Sequence, residues 1–402
     1  MKYRALVCLA LIHTLVDCFS QFVSPLWPSL ETKLSVSPWV ISLLFAGWQL
    51  GASISQPLFG YLGDRFDTRL TVALGPGLAI VCLTLVGFAP GPVSLALLLI
   101  VGGLGIGAFH PEAAVGVVQS SEKRITLGLA IFTCGGMLGL GVGPSLSGRL
   151  VDAFGLHGLV WAALPGLICL VGLVWLRGPT AHPHGHDNNG ADGLGAILDG
   201  RGPQVLLLLA VATLRVVPAL GVPWCLAFLL KRQGATDSEI GLTQSIFLLS
   251  GGVGTLVCPL LARGGRDLGT LVGTTLLAAG FLALVTPDRA WLLYVGLIGS
   301  GFLLQGTIPI LISYSQRLLP RGRRLAASLT LGASWGLGGI LVAGLKLIFT
   351  EDQLGGMLWA MVPFAVASSA CAALLPRAAS LAPRVRLEPI SSPAVSISEV
   401  RA

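Results

Sequence analysis

The chain has 402 residues, 54% of them hydrophobic and only 11% charged, with a mean hydropathy of +0.84. A soluble domain carries about 25% charged residues, so this composition excludes a soluble enzyme and requires a polytopic membrane protein. The net charge of +7 records which loops face the cytoplasm and does not indicate nucleic-acid binding.

Taken in order, the apolar runs cover about 4–30, 38–62, 70–89, 93–118, 125–149 and 156–176, then 203–230, 238–262, 268–286, 290–316, 325–349 and 354–375. Each approaches or exceeds the roughly 20 residues that carry a helix across the hydrocarbon core. They are too long and continuous for barrel strands. The expected architecture is an all-α membrane protein of twelve transmembrane helices in two six-helix bundles, residues 1–176 and 203–376. A polar, histidine-containing cytoplasmic linker spans 177–202, and a cytoplasmic tail over 377–402 has the composition of a disordered segment. The start resembles a signal peptide, but it contains His13 and Asp17 and runs apolar to Leu30, so it reads as a retained first helix. All eight cysteines fall in apolar stretches without a CxxC pair and read as small buried hydrophobes.

With the N-terminus inside, only Lys33, Arg149, Lys231, Arg232, Arg289 and Lys346 fall on the outer side and Arg215 within a span, against 18 cationic residues on the inner side. The asymmetry places both termini in the cytoplasm of a cell inner membrane. Lys346, near a span end, is expected to snorkel to the interface. A weak internal repeat pairs Pro57 with Pro259 and Pro111 with Pro309. Parallel six-helix repeats put a binding site between the halves near the midplane.

The ionisable residues inside spans carry the chemistry, because a central acidic residue costs about 2.5–3.5 kcal/mol to insert and is tolerated against protein or a wet cavity. His13 and Asp17 are four apart and share a helix face, so they can exchange a proton. Phe109-His110-Pro111-Glu112 puts an imidazole and a carboxylate in the fourth span, two apart and loosened by Pro111. Arg215 is isolated in the seventh span, either a ligand for an anionic substrate or a counter-ion for Asp17 or Glu112, and the tenth span offers Gln305. Asp17 and Glu112 are expected to converge on one hollow. The linker histidines His182, His184 and His186 read as solvated, with no metal or cofactor expected. No nucleotide-binding loop is present, so the chain alone is neither an ATP-driven pump nor an enzyme.

Two motifs extend the reading. Gly60-Tyr61-Leu62-Gly63-Asp64-Arg65, followed by Arg69, fills a tight loop between spans two and three. Span five carries glycines at four-residue spacing, including Gly139 and Gly143 before Pro144, a flat face for close helix packing. The loop resembles the signature of the major facilitator superfamily, where Gly60, Asp64, Arg65 and Arg69 would form a conformational latch. The glycine-proline run resembles that of proton-exchanging exporters. His13…Asp17 together with Phe109-His110-Pro111-Glu112 is similar to the fosmidomycin resistance protein branch, over about residues 10–150. That resemblance implies a monomeric, proton-coupled antiporter exporting a small, often anionic drug by alternating access, with His13, Asp17, His110 and Glu112 in the cavity. A proton-linked importer of a sugar or organic anion, and a non-transporting sensor of the same fold, are the alternatives.

Overall fold

A bilayer offers no partner for backbone N–H and C=O groups, so a spanning segment must satisfy them within itself. The computed structural model describes residues 3–63, 70–121, 124–177, 194–262, 265–320, 322–349 and 351–377; each expected span lies on helix, and no strand occurs among the described residues. We number the spans α1 (Tyr3–Leu34), α2 (38–63), α3 (Thr71–Phe88), α4 (Pro92–Ser121), α5 (Ile125–Phe154), α6 (Leu156–Arg177), α7 (Gly202–Arg232), α8 (Asp237–Leu261), α9 (Asp267–Leu282), α10 (Ala290–Leu318), α11 (Leu325–Ile348) and α12 (Leu354–Ala373). Ten of these are long and apolar enough to cross a membrane, and α2 and the 16-residue α9 complete the twelve. Most of the expected linker, the tail after Arg377, and Asp64, Arg65 and Arg69 lie outside the described residues.

The helices bend where the sequence removes donors. Pro25 and Pro28 interrupt α1 after Ser20. Pro309 lacks the N–H that the Gln305 carbonyl would accept, and α10 breaks at Thr307. By contrast, α4 runs 30 residues straight through Pro111. Single π turns occur at Leu50–Ile54 in α2 and Leu329–Ala333 in α11, and the two face each other: a Cβ on Gly332 would sit 2.8 Å from the Ser53 carbonyl. Such turns mark places where a helix is locally adaptable.

Glycines set the closest contacts. Gly75 of α3 and Gly105 of α4 each bring a backbone where the other's Cβ would be. Gly135, Gly139 and Gly143 of α5 lie against the carbonyls of Ala10, Thr14 and Cys18 in α1, two matched four-residue rows. Gly139 and Gly143 thus lie on a helix–helix seam without side chains between its backbones. Further along α5, Pro144 and Gly148 meet Gly241 and Asp237 of α8, which joins the first six helices to the last six.

The halves also meet through polar groups at the end opposite the termini. Asp152 of α5 accepts the backbone N–H groups of Asp237 and Ser238 at 3.0 Å each and the Ser238 hydroxyl. Asp237 in turn takes Ser29 at 2.7 Å and Lys231 at 3.0 Å. Carboxylates at a helix N-terminus complement its positive end. The outer flanks are apolar, as on α6, where Leu164, Ile168, Val171 and Trp175 are exposed. Cys169 on the same helix is exposed as well, unlike the buried role expected of the cysteines.

Candidate functional site

Helical spacing in α1 stacks His13 one turn from Asp17, and Nε2 of His13 lies 3.1 Å from Oδ2 of Asp17. His110 arrives from α4, its Nε2 3.4 Å from the other oxygen, Oδ1. The outer nitrogen of each ring is held by a backbone carbonyl: His13 Nδ1 is 2.8 Å from the Phe132 oxygen, and His110 Nδ1 is 2.8 Å from the Ile106 oxygen, one turn back on its own helix. The ring of His13 stacks on Phe132 at 4.0 Å between centroids. Gly136 makes the room, since a Cβ there would fall 2.6 Å from His13 Nε2 and 2.7 Å from Asp17 Oδ2. His13 and Asp17 are buried and His110 is half-buried.

These contacts fix the proton inventory. A carbonyl oxygen only accepts, so both Nδ1 atoms carry hydrogen. Both Nε2 atoms face the carboxylate. With neutral rings and an ionised Asp17, two lone pairs would oppose two carboxylate oxygens. One added proton, on Asp17 or on either Nε2, turns that opposition into a hydrogen bond, and a second completes both. The cluster can thus hold one or two exchangeable protons in a low-dielectric site where an unmade hydrogen bond is costly.

A second polar group sits among the later helices. Arg215 of α7 is 1% exposed, and its Nη1 donates to the Leu304 carbonyl at 3.1 Å and to Gln305 Oε1 at 3.3 Å, at the α10 break. Its Nε and the Gln305 Nε2 have no hydrogen-bond partner among the described residues. One turn along α7 from Arg215, Ala219 lines a cavity of about 40 Å³ between the halves. Trp27 of α1, Phe45 and Trp48 of α2, Trp224 of α7 and Trp335 of α11 give it an aromatic wall, and Ser20, Gln21, Ser24 and Gln49 supply polar edges. Gln244 of α8 bridges the cavity's two sides, donating to the Pro223 carbonyl at 2.9 Å and the Ser24 carbonyl at 3.3 Å.

Residues 9–230 match the family profile of the Major Facilitator Superfamily. The chain belongs to that superfamily. Among curated relatives, it is 26% identical to the fosmidomycin resistance protein of Escherichia coli (strain K12) over 370 residues, 88% of each chain. It is 30% identical to the 4-hydroxybenzoate transporter PcaK of Pseudomonas putida over 177 residues, 42% of this chain and 39% of that one. Its fold is that of solved superfamily members. A point mutant of the nucleoside transporter NupG superposes with a TM-score of 0.69 over 94% of this chain and 98% of that one, at 14% identity.

For this superfamily transporter, the expected site residues divide into three groups. His13, Asp17 and His110 come together. Arg215 and Gln305 come together, in a separate cluster. Glu112 belongs to neither: on α4 it is buried and two residues from His110, and its charge acts on Arg177 at the end of α6. Residues two apart on a helix point away from one another, and α4 stays helical through Pro111, so the proline does not bring Glu112 round. Gly60 lies in α2, where a Cβ would be 3.8 Å from Pro111. Lys346 departs from the snorkelling expectation. It is 3% exposed, with Nζ 4.9 Å from the Phe228 ring centroid. The aromatic cavity was not anticipated from the sequence; tryptophans are frequent at bilayer edges, and nothing in the spacing of Trp27, Trp48, Trp224 and Trp335 marks them as neighbours.

Proposed function

We propose that the chain is a proton-coupled secondary transporter that exports small anionic molecules by alternating access. The observation that carries this reading is the His13–Asp17–His110 cluster, whose inward nitrogens and carboxylate oxygens need at least one shared proton. In one state the cluster is protonated and neutral or positive. Loss of a proton leaves lone pairs against a carboxylate, a strain relieved only by reprotonation or by rearrangement of α1 against α4. Because the two histidines reach Asp17 from different helices, protonation bears directly on how those helices pack.

Arg215 supplies the positive charge that an anionic substrate would seek, one helical turn from the central cavity. Glu112, beside Arg177 toward the terminal face, serves as a second carboxylate on the proton's path. The α2 and α11 π turns and the Asp152–α8 cap are the parts that would rearrange as access alternates. The expected latch of Gly60, Asp64, Arg65 and Arg69, the monomeric state, the six-plus-six division with its linker, and cytoplasmic termini in an inner membrane complete the proposal. Export, rather than uptake, is favoured by the similarity to the fosmidomycin resistance protein over 88% of the chain.

The test is reconstitution of the full chain in proteoliposomes with an entrapped pH indicator, using fosmidomycin and a panel of small phosphonates and carboxylates. Wild-type protein should move protons against a panel member, and Asp17→Asn should lose gradient-driven flux. Gradient-driven flux through Asp17→Asn at the wild-type rate would overturn the coupling role. Absence of flux for every compound would favour a sensor.

A further inference from the structure

The cavity between the halves has a chemistry that the proton cluster does not use. Its aromatic groups pack on one another: Phe45 and Trp224 at 4.3 Å, Trp27 and Trp224 at 5.2 Å, and Trp27 and Phe45 at 5.7 Å between ring centroids. The free volume, about 40 Å³, holds a water or two, whereas a benzene-sized guest needs a cavity on the order of 150 Å³. In this conformation the rings therefore fill the site themselves.

Buried polar atoms on residues around the cavity are left unpaired among the described residues: two donors on its lining, and one acceptor, Oε1 of the bridging Gln244. Gln49 and Trp224 both line the cavity, are 6% and 1% exposed, and leave Gln49 Nε2 and Trp224 Nε1 without partners among the described residues. A buried donor left unpaired costs about 1–3 kcal/mol, which a guest bearing an acceptor recovers. The lining contains no carboxylate and no cation. Charge lies just beyond: Arg215 one turn from Ala219, Lys346 over Phe228, whose ring is 5.1 Å from that of Trp224, and Asp17 one turn from Gln21, its carboxylate engaged by His13 and His110. Rings that now stack on each other, two unsatisfied donors and flanking positive charge select one kind of ligand.

We propose that this cavity binds planar aromatic monoanions, a ring seated between Trp224 and the Trp27–Phe45 pair and the acid oxygens accepting from Gln49 Nε2 and Trp224 Nε1. The proposal rests on the reading of the chain as a transporter of small anions and names the class. A guest ring exchanges its own aromatic contacts for those the side chains make with one another, so entry accompanies separation of α2 from α7. The two donors come from different halves, so a bound acid would bridge them.

Equilibrium binding to the purified full chain in nanodiscs, without any gradient, tests this independently of proton coupling. Radiolabelled benzoate and naphthoate should bind saturably. Cyclohexanecarboxylate, of equal charge and similar size, should compete about tenfold more weakly, the upper range for aromatic pairing, and benzylamine should not compete. Gln49→Leu should weaken binding roughly tenfold, as expected for a hydrogen bond to a charged group, and Trp224→Phe should do the same while keeping the ring. Trp175→Leu, on the lipid-facing flank of α6, should change nothing. Absence of saturable binding by either acid overturns the proposal. So does equal competition by cyclohexanecarboxylate or benzylamine, or wild-type affinity in both Gln49→Leu and Trp224→Phe. A protein that binds these acids but fails to couple them to protons would leave this inference standing and remove the coupling mechanism alone.

Discussion

Asp152, at the end of α5, caps the first turn of α8 through the backbone N–H of Ser238 at 3.0 Å. A carboxylate of the first six helices thereby completes the hydrogen bonding of a helix in the last six. The α8 start already has its own capping box, Thr236 with Glu239, so Asp152 is not needed to form that helix. Its effect falls on the contact between halves. Replacing Asp152 with Ala should favour separation at the end opposite the termini, and Gln21→Cys in the cavity should then react faster with a water-soluble maleimide. A gain of about tenfold is expected from loss of charge-assisted hydrogen bonds; an unchanged labelling rate would refute a role for Asp152 in holding the halves together.

The proton cluster predicts a graded series. Asp17→Asn removes the one carboxylate both histidines address and should abolish coupled flux. His110→Gln keeps a donor near Asp17 but no titrating ring, and should slow coupled flux by roughly tenfold, the worth of one hydrogen bond to a charged group, with a flattened pH profile. His13→Gln should behave alike and also lose its stack on Phe132. Proteoliposome flux measured over a range of internal pH distinguishes these from simple misfolding, because substrate exchange without a gradient should persist.

The α1–α5 seam predicts a stability effect. Gly139→Val would drive two methyl groups into the Thr14 carbonyl. Overpacking of this kind costs on the order of 1–3 kcal/mol, visible as a lower unfolding midpoint of the purified protein. Gly172→Ala, with no neighbour in reach of a Cβ, should stay within about 0.5 kcal/mol of wild type.

Arg215 predicts a distinction between charge and shape. Arg215→Lys retains the charge but is shorter and lacks the Nη1 that donates to both Leu304 and Gln305. Arg215→Gln removes the charge. If the positive charge serves an anionic substrate, Arg215→Gln should raise the half-saturating concentration for anions by about tenfold and leave neutral ligands unaffected, while Arg215→Lys falls between. Equal loss for anionic and neutral ligands would mark Arg215 as a structural clamp on the α10 break.

Amino-acid order by itself determined the class of molecule, the twelve spans and the partnership of His13 with Asp17. Hydropathy, donor-less prolines and a four-residue spacing act within one helix, so these features are local. It also determined which face of α5 could approach another backbone, though not which helix would accept it. Only the tertiary structure decided that His110 joins Asp17 and Glu112 does not, that Arg215 pairs with Gln305, that Lys346 turns inward, and that aromatic residues from α1, α2, α7 and α11 wall one cavity. Those outcomes depend on how separate helices rotate and cross, which is set by backbone approach at glycines and by packing between segments far apart in the chain. No periodicity within a single span encodes them.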